Sequence, residues 1–125
     1  MTKALAFVFA MLVPLPGMAA SQAVTWTGWF ADEACAKGRV ASGVISFTNP
    51  DCAEKCIKNG SAPVFISEQA KAMYKVVDYS GVVENLGWKL EITGTVNDDA
   101  KTVSVTSVKK LSEVVSKCYR PKRKQ

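Results

Sequence analysis

From Trp88 to Val96 the chain alternates without error, with Trp88, Leu90, Ile92 and Val96 on one side and Lys89, Glu91, Thr93 and Thr95 on the other. A period of two belongs to a strand with one dry and one wet face, because successive side chains of a strand point to opposite faces. Asn97-Asp98-Asp99-Ala100-Lys101 then supplies turn residues, and Thr102 to Val108 reads as a further strand with Val103 and Val105 inward. The two segments form a hairpin, and a half-buried antiparallel sheet is the consequence.

Three more strands are readable upstream. Val24 to Ala31 is rich in aromatic and β-branched residues, with Val24, Trp26 and Phe30 on one face and Thr25, Thr27 and Trp29 on the other. Gly28 in its middle marks a bend or a close backbone approach. Pro63 to Ser67 is short, and Ala72 to Tyr79 sets Met73, Val77 and Tyr79 against Tyr74 and Val76. Ser80 to Gly87 leaves room for one helical turn, while Lys37 to Thr48 is a Gly/Ser-punctuated connection without a clean period.

The best-marked helix runs from Asn49 to Gly60. Asn49 suits the N-cap, Pro50 the first helical position, Asp51 and Glu54 the positive end, Lys58 the negative end, and Gly60 a left-handed close. Cys52 and Cys56, four apart, point the same way beside Ile57, so the helix is expected to bury its cysteine face. Five strands, a turn between the third and fourth, and curvature at Gly28 and Gly94 predict a mainly β fold over residues 24–110. The expected form is a small five-stranded OB-like barrel with one cysteine-bearing helix inserted after the first strand. An α+β sheet or a β-sandwich is the alternative. Beyond it, Leu111, Val114, Val115 and Cys118 share a face at helical spacing, which predicts a short helix in the basic segment 111–125, tethered by Cys118.

The first residues set the compartment. Lys3 precedes an apolar run from Ala4 to Val13, then Pro14, Pro16 and the small residues Ala19, Ala20, Ser21 and Ala23. That layout predicts a cleavable signal peptide over residues 1–20, with cleavage as late as Ala23, and a periplasmic or secreted product. The run is too short to span a hydrocarbon core of roughly 30 Å as a helix, so no membrane span is expected after cleavage. The formal charge of +5 sits at the end of the chain. Residues 24–108 hold eight Lys/Arg against ten Asp/Glu, whereas 109–124 hold seven bases against Glu113 alone. Lys117, Arg120, Lys122, Arg123 and Lys124 could attract an anionic envelope polymer or lipid by charge; a frayed, solvated end is the plainer reading, and no specific nucleic-acid partner is expected.

Several of these segments together resemble a family of small exported bacterial proteins that carry an OB-like domain and have no assigned activity. The matching residues are Gly28, Asp32-Glu33-Ala34-Cys35, the run Asp51-Cys52-Ala53-Glu54-Lys55-Cys56-Ile57-Lys58-Asn59-Gly60, Val64, and Gly87-Trp88-Lys89-Leu90-Glu91-Ile92-Thr93-Gly94-Thr95. The likeness covers roughly Thr27 to Val108. Many members of that family place a histidine between the first cysteine and the paired ones, and this chain has no histidine, which weakens any metal role the resemblance implies.

Chemistry-bearing residues are few. Four cysteines, Cys35, Cys52, Cys56 and Cys118, in an exported chain predict two disulfides. Cys52 and Cys56 on one helix are badly placed to bond each other, which leaves Cys35–Cys56 with Cys52–Cys118, or Cys35–Cys52 with Cys56–Cys118. Each bridge would contribute on the order of 3 to 4 kcal/mol. A thiol-redox or metal-binding role for Cys35, Cys52 and Cys56 is the competing reading, set back by Cys-x-x-x-Cys spacing and by long intervals between the ligand candidates. Without histidine the familiar triads are excluded, and Asp32-Glu33 reads as a solvated strand end, so no catalytic residue, cofactor or metal site is assigned. Trp29, Tyr74 and Tyr79 are the candidate ligand-binding aromatics of a barrel face. The expectation is a non-enzymatic binding or structural module stabilised by disulfides.

Overall fold

The computed structural model describes residues 21–114; the signal-peptide reading of 1–20, Cys118 and the basic cluster from Lys117 onward lie outside them. The element order is β1 (Gln22–Asp32), α1 (Glu33–Ala41), α2 (Pro50–Lys58), β2 (Pro63–Ser67), β3 (Ala72–Val77), a 3-10 turn at Val83–Asn85, β4 (Trp88–Asn97) and β5 (Thr102–Glu113). The fold is mainly β. Its five strands form one sheet that closes in a ring in the order β1-β2-β3-β5-β4, with β4 returning to β1. Four of the five seams are antiparallel; the seam between β3 and β5 is parallel and pairs only Lys75, Val76 and Val77 with Thr102, Val103 and Ser104. No helix among the described residues is long and apolar enough to cross a membrane.

Alternation places the core. Phe30, Phe65, Tyr74, Leu90, Ile92, Val96, Val103 and Val105 fill the ring, with Val24, Trp26 and Trp88 packed against them. The intervening positions of β1 and β2 bury on the outer side, where Trp29, Ala31, Val64 and Ile66 pack with Ala36 of α1, joined by Val40, Phe47 and Met73. β1 and β2 are therefore covered on both faces. Two glycines permit the closure. A Cβ on Gly28 would run into the Ile66 carbonyl, and one on Gly94 into the Ser104 carbonyl, where β4 and β5 slip register and Thr106 Oγ1 donates to the Thr93 carbonyl at 2.9 Å. Both are places where only a missing side chain lets neighbouring backbones approach.

Strands β2 and β4 match the sequence expectation closely and the turn after β3 forms, but β3 stops at Val77, and Tyr79 packs with Tyr74 and Val76 rather than with Met73. Three further expectations are corrected. A helix missing from the reading, α1, follows β1 and takes up the first part of the stretch assigned to a connection, up to Ala41, because Asp32 accepts from the Cys35 amide at 3.0 Å and so caps a first turn that carries Glu33. The cysteine face of α2 is not its buried face: Ala53 is fully buried and Ile57 packs against the ring interior, while Cys52 is exposed. The dry stripe of α2 lies one residue further round than the cysteines. Residues Leu111 to Glu113 continue β5 rather than starting a helix, with Trp88 opposite Glu113 and Leu111 exposed.

Candidate functional site

α2 ends as its sequence dictates. Asn49 caps it by accepting from the Asp51 and Cys52 amides at 2.9 and 3.2 Å. At the other end Gly60, at φ +101°, reverses the chain, with Gly60 N–H donating to the Ile57 carbonyl at 3.0 Å and Ser61 N–H to the Cys56 carbonyl at 2.8 Å. That doubly bonded close is the Schellman arrangement, which here delivers Ser61 and Ala62 to the start of α1. The Ala62 carbonyl accepts from Glu33 N–H at 2.9 Å, Ser61 Oγ accepts from Ala34 N–H at 3.3 Å, and its hydroxyl donates to Asp32 Oδ2 at 3.4 Å. The first turn of α1 and the last turn of α2 are thereby held side by side.

This junction brings Cys35 and Cys56 together over Asp32. Both sulfurs and one Asp32 carboxylate oxygen lie within 4.8 Å of one another. Both cysteines are half-buried, whereas Asp32 is fully buried. Its Oδ2 takes the Cys35 amide and the Ser61 hydroxyl, and its Oδ1 has no hydrogen-bond partner. A buried acceptor left unmatched costs about 1 to 3 kcal/mol, so this is an unusual place to keep a carboxyl group. The reading of Asp32 as a solvated strand end is corrected accordingly; the signal that could have exposed it is the Asp-x-x-Cys spacing, which fits an N-cap reaching its third amide.

The electrostatics follow from this geometry. Burial pushes the Cys35 thiol up to about 11, and the adjacent Asp32 carboxylate and Cys56 act in the same direction. A thiol held neutral is a slow nucleophile. A destabilised thiolate also shifts a cysteine pair toward the disulfide, the reverse of oxidants whose reduced form is favoured. Among the described residues no two cysteine sulfurs are at bonding distance. Cys52, one turn before Cys56, stands apart from the cluster on the surface.

The candidate aromatics do not form an exposed platform. Tyr74 is buried, stacks obliquely on Trp26 at 4.9 Å and donates its hydroxyl to Asp98 Oδ1 at 2.8 Å. Trp29 is buried against α1, with the Lys89 ammonium 5.7 Å from its ring centroid. Tyr79 is half-buried, stacked on Phe30 at 5.7 Å, and its hydroxyl accepts from Asn85 at 3.2 Å. Sequence could not separate platform from packing here, because the closure of the ring decides which face of each strand is covered twice.

Comparison with family models, curated proteins and solved structures finds no match to this chain.

Proposed function

We propose that this chain is an exported, non-enzymatic module in which a Cys35–Cys56 disulfide clasps the two-helix insertion onto an OB-like β-barrel. The carrying observation is the convergence of the two sulfurs over Asp32, from opposite ends of the insertion. Three further points support the reading. The strand order β1-β2-β3-β5-β4 with a parallel β3–β5 seam is the connectivity of OB-like barrels. The raised Cys35 thiol favours the bonded form. Cys35 lies in the first turn of α1 and Cys56 in the last turn of α2, so the bond would tie the two ends of the insertion together. Of the two connectivities open to the sequence, this geometry favours Cys35–Cys56, which leaves exposed Cys52 to Cys118. The resemblance to exported bacterial proteins points to the same compartment.

The test is to alkylate the protein recovered from the periplasm or culture medium, with and without prior reductant, and map the labelled cysteines by mass spectrometry. The expected result is a cross-linked peptide pair containing Cys35 and Cys56 that takes label only after reduction. Label on both cysteines without reductant sinks the clasp, and recovery of a chain that retains residues 1–20 in the cytoplasm sinks export.

A further inference from the structure

We propose that the reduced Asp32–Cys35–Cys56 cluster is a binding site for one thiophilic divalent cation of the zinc class. It goes beyond the clasp, sharing its sulfurs but resting neither on export nor on the disulfide.

Two thiolates and a carboxylate select for a borderline-soft ion over magnesium or calcium. Around zinc, with bonds of about 2.3 Å to sulfur and 2.0 to 2.2 Å to oxygen, tetrahedral ligand atoms stand roughly 3.4 to 3.8 Å apart. The cluster's atoms already lie within 4.8 Å of one another, so small side-chain rotations close it with the backbone in place. The scaffold is set: Asp32 ends β1 and caps α1, Cys35 lies in the first turn of α1, and Cys56 in the last turn of α2.

The independent pointer is Asp32 itself. Its side chain is fully buried, with Oδ2 oriented by the Cys35 amide and the Ser61 hydroxyl and Oδ1 unpartnered. A carboxylate whose one oxygen is fixed by hydrogen bonds while the other stays free is the arrangement of a metal ligand with its supporting shell. A cation would supply the partner that Oδ1 lacks. Binding breaks two S–H bonds, releases two protons and forms two metal–sulfur bonds and one metal–oxygen bond, with no electron transferred. Three protein ligands leave a fourth position for water or an outside ligand, and neither cysteine is sealed from solvent. Because each sulfur serves either the bond or the metal, the disulfide and the loaded site exclude each other.

Cobalt(II) is the probe, titrated anaerobically into the fully reduced chain, with thiolate-to-cobalt charge-transfer absorption as the readout. One equivalent is expected to bind, with bands of a tetrahedral site that zinc displaces, and a chain oxidised beforehand should show none. The Cys52→Ser, Cys118→Ser double variant keeps the spectrum, while Cys35→Ser and Cys56→Ser each lose it. Asp32→Asn retains the helix cap and weakens binding about tenfold or more. No charge-transfer absorption in the reduced wild type overturns the proposal, as does its loss in the double variant, which leaves the cluster untouched and decides the matter even if a cluster variant fails to fold. Cobalt binding alongside cysteines found free in the native compartment removes the clasp and keeps the metal site; a mapped disulfide without cobalt binding does the reverse.

Discussion

The ring interior and the helical insertion are built on opposite terms. Inside the ring, Phe30 meets Phe65 edge-on at 5.7 Å among Leu90, Ile92, Val96 and Val103, all nearly or fully buried. The insertion buries little beyond Ala36 and Ala53 in its own helices, and is instead positioned by caps and turns: Asp32, Asn49, Gly60 and Ser61. Among the described residues, the two buried side chains that carry an unpartnered polar atom, Asp32 and Thr48, each immediately precede one of its helices or that helix's cap. Apolar burial is bulk and tolerant, whereas capping is local and directional. The difference teaches why chemistry collects at the insertion: a region held by polar contacts can keep a charged group and two thiols in register, and a dry core cannot.

Substitutions in the two regions should separate these terms. Phe65→Ala removes a fully buried ring from the interior and should cost about 3 to 5 kcal/mol in a urea unfolding experiment, a large share of an ordinary domain's stability. A cost near 1 kcal/mol would show that the interior is not the main support. Gly28→Ala drives a methyl group into the Ile66 carbonyl across the β1–β2 seam and should cost about 3 kcal/mol, read the same way; a neutral result would mean that the seam can open there without penalty. Asp32→Ala removes the cap of α1 and should cost about 1 to 2 kcal/mol, with the loss confined to amide protection in 33–41. Equal loss across the strands would erase the distinction between the two regions. At Gly38, in the body of α1 with open space around it, alanine should stabilise by about 0.5 to 1 kcal/mol through helix propensity alone.

The smallest expected effect is one of pH on the reduced protein. The folded state raises the Cys35 thiol from 9.0 to about 11, so it binds that proton more tightly than the unfolded chain does. The stabilisation is whole below pH 9 and is lost as pH rises toward 11. Cys35→Ser should flatten that decline in denaturant midpoints, modestly because the group is half-exposed.

Most of the ring was legible because alternation states both the strand and its dry face: Leu90, Ile92, Val103 and Val105 need no tertiary knowledge to be placed inward. The helix Pro50–Lys58 was legible for a different reason, since Asn49, Pro50 and Gly60 are local signals for its two ends. α1 was not, because Gly38 and a mixed surface erase its periodicity and the decisive contact is a single cap from Asp32. The continuation of β5 through Glu113 was hidden by a chance helical spacing from Leu111. Asp32 escaped because its one local signal, the Asp-x-x-Cys spacing of a helix cap, says nothing about burial, and the Cys35–Cys56 encounter depends on where two helix ends meet.

The three-pair parallel seam between β3 and β5 has a kinetic consequence. It joins segments distant along the chain and has the fewest rungs of any seam, so each rung lost there removes a third of the closure, whereas β4 and β5 can fray at one end and remain a hairpin. Chain connectivity brings β4 and β5 together cheaply and brings β3 to β5 only after a loop has been closed. With the fewest rungs to break, the ring should breathe at this seam first, with amide exchange at Lys75 to Val77 and Thr102 to Ser104 outpacing the other paired strands.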